Sequence, residues 1–156
     1  IARGEQARAY ICGPVGTGKT HLASAVARLL VDGGTSVRVT DMLGVLAAIK
    51  DTYGGDGTED GVLSRLSRVG CLVLDDLGKE SPTDWTLGQV FRVVNDRYEN
   101  MRPVVVTTQY GKSDLIRRLA KNGDEETAVA IVSRLSEMCD KYELQGKDRR
   151  LSNGKR

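Results

Sequence analysis

A glycine-rich stretch near the start of the chain carries residue types that bind phosphate. The sequence GPVGTGKTH fits the pattern G-x-x-x-x-G-K-[ST], with Gly13, Gly18, Lys19 and Thr20 at the fixed positions. Glycines let the backbone curl until several N–H groups point at one anion. Lys19 is expected to reach the β- and γ-phosphates, and the Thr20 hydroxyl to coordinate Mg²⁺. We therefore predict a P-loop that binds ATP or ADP, made of Gly13, Pro14, Val15, Gly16, Thr17, Gly18, Lys19, Thr20 and His21.

Hydrolysis of a bound nucleotide also needs a carboxylate for the metal and a group that positions water. The apolar run CLVLDDLG ends in Asp75 and Asp76. Parallel strands deliver their carboxyl ends to the ligand crevice, so both side chains are expected to face the P-loop. We predict that Asp75 binds Mg²⁺ and that Asp76 polarises the attacking water. Gln109 follows the strand VVVTT; it either touches the γ-phosphate or is a simple polar residue at a strand end.

The elements that would position these residues are β-prone runs that alternate with helical patterns. This alternation is typical of an α/β fold with a parallel sheet. The predicted strands are Ala9–Cys12, Ser36–Asp41, Cys71–Asp76, Pro103–Thr108 and Cys139–Leu144. The predicted helices are Lys19–Val31, Met42–Tyr53, Asp60–Val69, Trp85–Asn100, Ser113–Lys121 and Glu125–Met138.

Composition bounds the class of protein. A chain of 156 residues with 40% hydrophobic and 28% charged residues suggests one domain with a real core. The net charge of +2 is too small to argue for nucleic acid by itself. The three cysteines lack metal-ligand spacing and indicate buried, reduced thiols in a cytoplasmic protein. No run has the length of a membrane span, so no membrane partner is expected.

The two ends of the chain carry their own expectations. The chain opens just before its first strand and has no initiator Met, so we expect a partner-binding region to precede it in the full protein. Residues 146–156 are basic, contribute little to a core and are expected to be flexible.

Four motifs in sequence extend the interpretation. GPVGTGKTHLA, LVLDDLG, NDRYENMRPVVVTTQY and IVSRLSEMC resemble the DnaC/DnaI-type helicase loaders, which are AAA+ ATPases of the IstB-like branch. The resemblance implies an AAA+ P-loop NTPase domain over residues 1–156, without the C-terminal lid domain. Its five-stranded parallel sheet would have the order 5-1-4-3-2, flanked by helices. Gly13–Thr20 becomes the Walker A motif and Asp75–Asp76 the Walker B motif. Gln109 falls at the sensor 1 position, and Arg134 matches an arginine finger that acts in trans.

The resemblance also implies partners and an activity. The implied partners are a replicative DNA helicase, single-stranded DNA and further copies of the chain, which assemble on ATP or DNA. The implied activity is slow ATP hydrolysis that depends on this assembly. The helical element Met42–Val69 would contribute the DNA contacts Lys50, Arg65 and Arg68. A solvated helix face is an equally good interpretation of those three residues.

Other interpretations remain open from the sequence. One is a transposition helper ATPase of the IstB kind, and another is a nucleotide-dependent switch with little turnover. A small-molecule kinase is disfavoured because no glycine-bounded lid with arginines is recognisable. Arg97 is expected to form a surface ion pair, with a contact across a subunit interface as the alternative, and Trp85 to pack between helices.

Overall fold

The protein is described by a computed structural model that covers residues 7–152. Within these residues, five strands form one sheet in which every neighbouring pair is parallel. The strands are β1 Arg8–Cys12, β2 Val37–Asp41, β3 Cys71–Asp75, β4 Val104–Thr108 and β5 Asp140–Glu143. Their order is β2-β3-β4-β1-β5, which is the predicted order 5-1-4-3-2 viewed from the other edge. The predicted α/β fold and strand order are confirmed.

The six predicted helices are also present, and each end lies within one residue of its predicted position. They are α1 Lys19–Asp32, α2 Met42–Thr52, α3 Glu59–Arg68, α4 Asp84–Glu99, α5 Lys112–Ala120 and α6 Glu125–Met138. A short additional helix, α7 Arg149–Ser152, was not predicted. The local start signals are strong. The side chain of Asp41 accepts a hydrogen bond from the Gly44 N–H at the start of α2, and Thr58 caps α3 in the same way.

The helices cover the two faces of the sheet unequally. Alternate residues of a strand point to opposite faces. Cys71 and Val73 pack into the cluster beneath α1, whereas Leu72 and Leu74 pack into the larger cluster beneath α2 to α6. Asp75 continues the alternation of Cys71 and Val73, so its side chain points to the same face of the sheet, the face covered by α1. The P-loop opens on that same side, because α1 begins directly after it.

Arg97 lies in the interior rather than on the surface, so the predicted surface ion pair is wrong. Arg97 is only 1% exposed. The guanidinium donates hydrogen bonds to the carbonyls of Leu66 at 2.7 Å and Val69 at 3.0 Å. These carbonyls belong to the end of α3, where a cation is favourable. Burial lowers the pKa of the Arg97 guanidinium. The arginine therefore joins α4 to the C-terminal end of α3.

Two further expectations can be compared with the part of the chain that the structure describes. Cys12, Cys71 and Cys139 are free and buried, as predicted. Burial raises the pKa of the Cys71 thiol to about 11 and that of Cys139 to about 12. Across residues 7–152, no helix combines the length and the apolar character needed to cross a membrane.

Candidate nucleotide-binding site

The P-loop connects β1 to α1 and is closed by its own side chains. Gly18 caps α1 with a φ of +94°, in the left-handed region that favours glycine. The Lys19 amino group donates a hydrogen bond to the Pro14 carbonyl at 2.7 Å, and the Thr17 hydroxyl donates to the same carbonyl at 2.8 Å. Lys19 is only 6% exposed. The lysine is thus held inside the curl of the loop at the N-terminal end of α1, where anions are favoured.

Thr20 and Asp75 meet although 55 positions separate them in the chain. The Thr20 hydroxyl lies 3.0 Å and 3.1 Å from the two carboxylate oxygens of Asp75. One of these oxygens also accepts a hydrogen bond from the Thr107 hydroxyl at 2.6 Å. The end of β3 therefore presents its carboxylate to the first turn of α1, held from the other side by β4.

Thr107 organises both aspartates of the predicted Walker B motif. Besides donating to Asp75, its hydroxyl accepts a hydrogen bond from the Asp76 N–H at 2.9 Å. Asp76 has a φ of +53°, so the chain turns sharply there as it leaves the strand. Thr107 is fully buried. Sequence reasoning missed it; the available signal was a hydroxyl at the end of the apolar strand VVVTT, beside β3 in the sheet.

Nine of the predicted site residues line one cleft of about 1090 Å³, which is large enough for a small-molecule ligand. They are Val15, Gly16, Thr17, Gly18, Lys19, Thr20, His21, Asp76 and Gln109. Gly13, Pro14 and Asp75 do not line it, and Asp75 is joined to it through its hydrogen bond with Thr20. Arg149 and Arg150 also line it, and sequence reasoning did not place them there. Burial lowers the pKa of Lys19, and Arg150 adds to the lowering, whereas Asp76 and Asp75 oppose it. The cleft therefore combines cations and carboxylates at the carboxyl edge of the sheet.

The loop after β3 buries a further carboxyl group. Glu80 is 2% exposed and accepts a hydrogen bond from the Gly78 N–H at 3.1 Å. Arg118 of α5 donates to the Gly78 carbonyl at 2.8 Å and to the Glu80 carbonyl at 3.2 Å. Burial raises the pKa of Glu80, although these partners oppose the rise. This arrangement fixes the loop that follows Asp76.

Arg134 does not line the cleft of its own chain. Its guanidinium lies over two aromatic rings of α4, 5.0 Å from the centre of the Phe91 ring and 5.4 Å from that of Tyr98. The Tyr98 hydroxyl donates a hydrogen bond to Glu137 at 2.8 Å. Such stacking holds a guanidinium in one orientation. The arginine is thus fixed on a surface formed by α4 and α6.

The three predicted DNA-contact residues are exposed and lie outside the cleft lining. The Lys50 amino group lies 5.1 Å from the centre of the Trp85 ring. Trp85 itself packs partly against the core, as expected for a helix-packing residue. On α3, the Arg65 Nε donates to the Gly61 carbonyl at 3.3 Å, and Arg68 lies near the end of the same helix.

The oxygen donors at the cleft fit Mg²⁺. Mg²⁺ binds through one or two protein oxygens and keeps waters or phosphate oxygens as its other ligands. The adjoining Thr20 hydroxyl and Asp75 carboxylate supply such a donor set. In residues 7–152, no cluster of three or more His, Cys, Asp or Glu side chains suggests an all-protein metal cage.

With this geometry, the relatives of the chain become informative. Residues 4–156 match the model of the IstB-like ATP binding protein family. The chain belongs to that family. It is 31% identical over 110 residues to the replicative helicase loader DnaC of Escherichia coli strain K12, a match over 70% of this chain and 45% of that protein. It is 30% identical over 137 residues to the phage-like element PBSX protein XkdC of Bacillus subtilis strain 168, covering 85% of this chain and 47% of that protein.

Solved structures agree with these relatives. The crystal structure of the DnaC helicase loader superposes with a TM-score of 0.76 at 25% identity, over 92% of this chain and 81% of that one. The replication initiator DnaA bound to AMPPCP and single-stranded DNA superposes with a TM-score of 0.73 at 23% identity, over 93% of this chain and 42% of that one. The AAA+ fold and the resemblance to DnaC-type proteins are confirmed. The chain spans about half the length of the curated relatives it matches.

Proposed function

We propose that this chain is the ATP-hydrolysing domain of a protein that loads a replicative helicase onto single-stranded DNA. The observation that carries the proposal is the convergence of Lys19, Thr20 and Asp76 on one cleft, with the Asp75 carboxylate hydrogen-bonded to Thr20. Phosphoryl transfer to water depends mainly on positioning and on neutralising charge, and these residue types supply both.

Each residue has a distinct role in the proposal. The P-loop N–H groups and Lys19 hold the β- and γ-phosphates. Thr20 and Asp75 hold Mg²⁺, which neutralises charge on the phosphate oxygens when bound. Asp76 accepts a hydrogen bond from the attacking water and polarises it, and Gln109 orients that water or contacts the γ-phosphate. Because an aspartate reaches less far than a glutamate, slow turnover is expected from the Asp-Asp motif.

Arg134 is proposed to act on the nucleotide of a neighbouring copy. Its position on the surface of α4 and α6, outside the cleft lining of its own chain, supports a role in trans. A guanidinium contributes by neutralising charge on the transferred phosphoryl group, and such fingers contribute about 10³–10⁵ in rate. ATP hydrolysis would then require assembly into a homo-oligomer.

ATP turnover with and without single-stranded DNA tests the enzymatic part of the proposal. The parent protein should release phosphate, and Asp76→Asn should bind ATP but release phosphate slowly. Lys19→Ala should fail to bind, because the phosphates lose the P-loop cation. If the assembled parent binds ATP without any turnover, the protein is a nucleotide-dependent switch instead.

Loading of a helicase is supported by the replicative helicase loaders among the relatives. The DNA contact is proposed to involve Lys50, Arg65 and Arg68. Anisotropy of the full-length protein with ATP should show binding to a single-stranded oligonucleotide that falls steeply as salt rises. Replacing all three residues by Ala should weaken binding and flatten the salt dependence. Arg28→Ala, which removes an exposed charge from α1, is the matched control.

The same titration separates the loader from the transposition helper. A loader should prefer the single-stranded oligonucleotide and retain the host replicative helicase in a pull-down. Preference for duplex DNA, without helicase capture, would favour the transposition helper.

A further inference from the structure

The chain bends directly after β4, at Gln109 and Tyr110, before α5 begins. Both residues line the nucleotide cleft. Gln109 is exposed, so the backbone on either side of it positions the side chain that is proposed to meet the γ-phosphate or the attacking water. The contacts of Tyr110 therefore decide where Gln109 can reach.

One of these contacts comes from β1, the strand that leads into the P-loop. The Tyr10 hydroxyl donates a hydrogen bond to the Tyr110 carbonyl at 2.9 Å, across 100 positions of the chain. Tyr10 is only 1% exposed and belongs to the larger core cluster, so close packing holds its ring in place. Burial raises the pKa of its hydroxyl, which therefore remains a donor at neutral pH. The bond thus fixes the bend after β4 to the strand that carries the P-loop.

The ring of Tyr110 meets a second part of the site. A Cβ at Gly78 would lie 2.9 Å from two carbons of this ring, and Gly78 has a φ of +97°. The loop that follows Asp76 therefore packs closely against Tyr110, at a position that requires glycine. Another contact, from the Tyr110 N–H to the Thr108 hydroxyl at 3.2 Å, joins two residues of the same segment, so it does not set the distance from the bend to the P-loop.

We propose that Tyr10 is a positioning residue for ATP hydrolysis, whose hydroxyl sets the distance between Gln109 and the P-loop. The inference rests on the proposed role of Gln109 at the γ-phosphate or the attacking water. Tyr10 does not line the cleft, so it acts through the backbone of Tyr110 rather than on the nucleotide. Groups that act together on one phosphate must be held to within about 0.5 Å. Without the bond, the bend can move away from the P-loop, and Gln109 moves with it.

ATP hydrolysis by the assembled protein, compared with ADP binding, tests the proposal. Tyr10→Phe removes one oxygen and keeps the buried ring. Phosphate release at saturating Mg-ATP should fall about 5- to 10-fold, the upper part of what a neutral hydrogen bond contributes. The Kd for Mg-ADP should stay within about twofold of the parent, because ADP has no γ-phosphate for Gln109 to meet. Parent-like ADP binding would also show that the variant is folded, whereas a parallel loss of ADP affinity would indicate general damage and overturn the proposal.

A double-mutant cycle with Gln109→Ala shows whether Tyr10 acts through that side chain. Gln109→Ala should itself slow phosphate release, and adding Tyr10→Phe should slow it by no more than about twofold further. Tyr53→Phe is the matched control. It removes a tyrosine hydroxyl that donates to Glu59 at 3.1 Å, outside the cleft lining, and should turn over ATP like the parent.

The outcomes separate this inference from the assignments on which it rests. If Gln109→Ala is slow while Tyr10→Phe turns over ATP like the parent, the role of Tyr10 is wrong and that of Gln109 stands. Equal slowing by Tyr10→Phe in the parent and in Gln109→Ala would also overturn the inference, since the two residues would then act independently. If Gln109→Ala matches the parent, neither residue has the proposed role, although phosphate release that Lys19→Ala lacks would still support the ATPase. No release by the assembled parent would overturn the inference and the ATPase assignment together.

Discussion

Replacing Thr107 by Val tests whether the buried hydroxyl organises the two aspartates. Valine keeps the branched shape but removes the oxygen that donates to Asp75 at 2.6 Å and accepts from the Asp76 N–H at 2.9 Å. Asp75 would keep only Thr20 as a side-chain donor among the described contacts. Asp76 would lose the anchor of its backbone at a positive φ.

The expected effects of Thr107→Val on stability and on ATP turnover follow from the two hydrogen bonds that it removes. A hydrogen bond to a charged group contributes about 1.5–3 kcal/mol and a neutral one about 0.5–1.5 kcal/mol. Thr107→Val should therefore lower the free energy of unfolding by about 2–4 kcal/mol. If the charged bond also positions Asp75 for catalysis, its loss corresponds to about 10- to 100-fold slower ATP turnover.

Thr108→Val is a close control. Thr108 is the next residue of β4, is equally buried, and also makes two hydrogen bonds, to the Leu77 carbonyl at 2.6 Å and from the Tyr110 N–H at 3.2 Å. Neither bond touches an aspartate, so this variant should be destabilised but should turn over ATP within about threefold of the parent. Urea unfolding and phosphate release at saturating Mg-ATP measure the two quantities. Similar turnover in both variants would refute a specific role for the Thr107 hydroxyl.

The remaining predictions concern three other residues. Arg134→Ala and Lys19→Ala should each be inactive in ATP hydrolysis. A mixture of the two variants under assembling conditions should regain phosphate release, because some interfaces then pair an intact P-loop with an intact arginine finger. A mixture that assembles but stays inactive would contradict action in trans. Arg97→Met should lower the free energy of unfolding in urea by about 2–4 kcal/mol, because it leaves two buried carbonyls unpaired; an unchanged midpoint would contradict this. Burial raises the pKa of Glu80 in the folded protein, so its ionisation opposes folding as pH rises through that pKa. Glu80→Gln should therefore gain stability relative to the parent at pH 7 but not below the usual glutamate pKa, and a pH-independent difference would argue against the shift.

The sequence alone determined the elements and the central motif, because those depend on local patterns. Apolar runs, helical spacing and capping residues act over a few neighbouring positions, so strands and helices were predicted to within about a residue. The P-loop is a contiguous stretch whose glycines, lysine and threonine have fixed spacing. Asp75 was predictable as well, since the end of a parallel strand must face the crevice. The strand order came from the resemblance to a family.

Tertiary structure decided which distant side chains complete the cleft and which are buried. Thr107 meets the aspartates across two neighbouring strands, and Arg97 reaches carbonyls about thirty positions away. Both look like ordinary polar residues in the sequence, because their partners are set by how the strands and helices pack. Arg150 comes to the P-loop only because β5 lies beside β1 and directs the following segment back across the loop. No local pattern encodes that return, since it depends on the whole sheet being assembled.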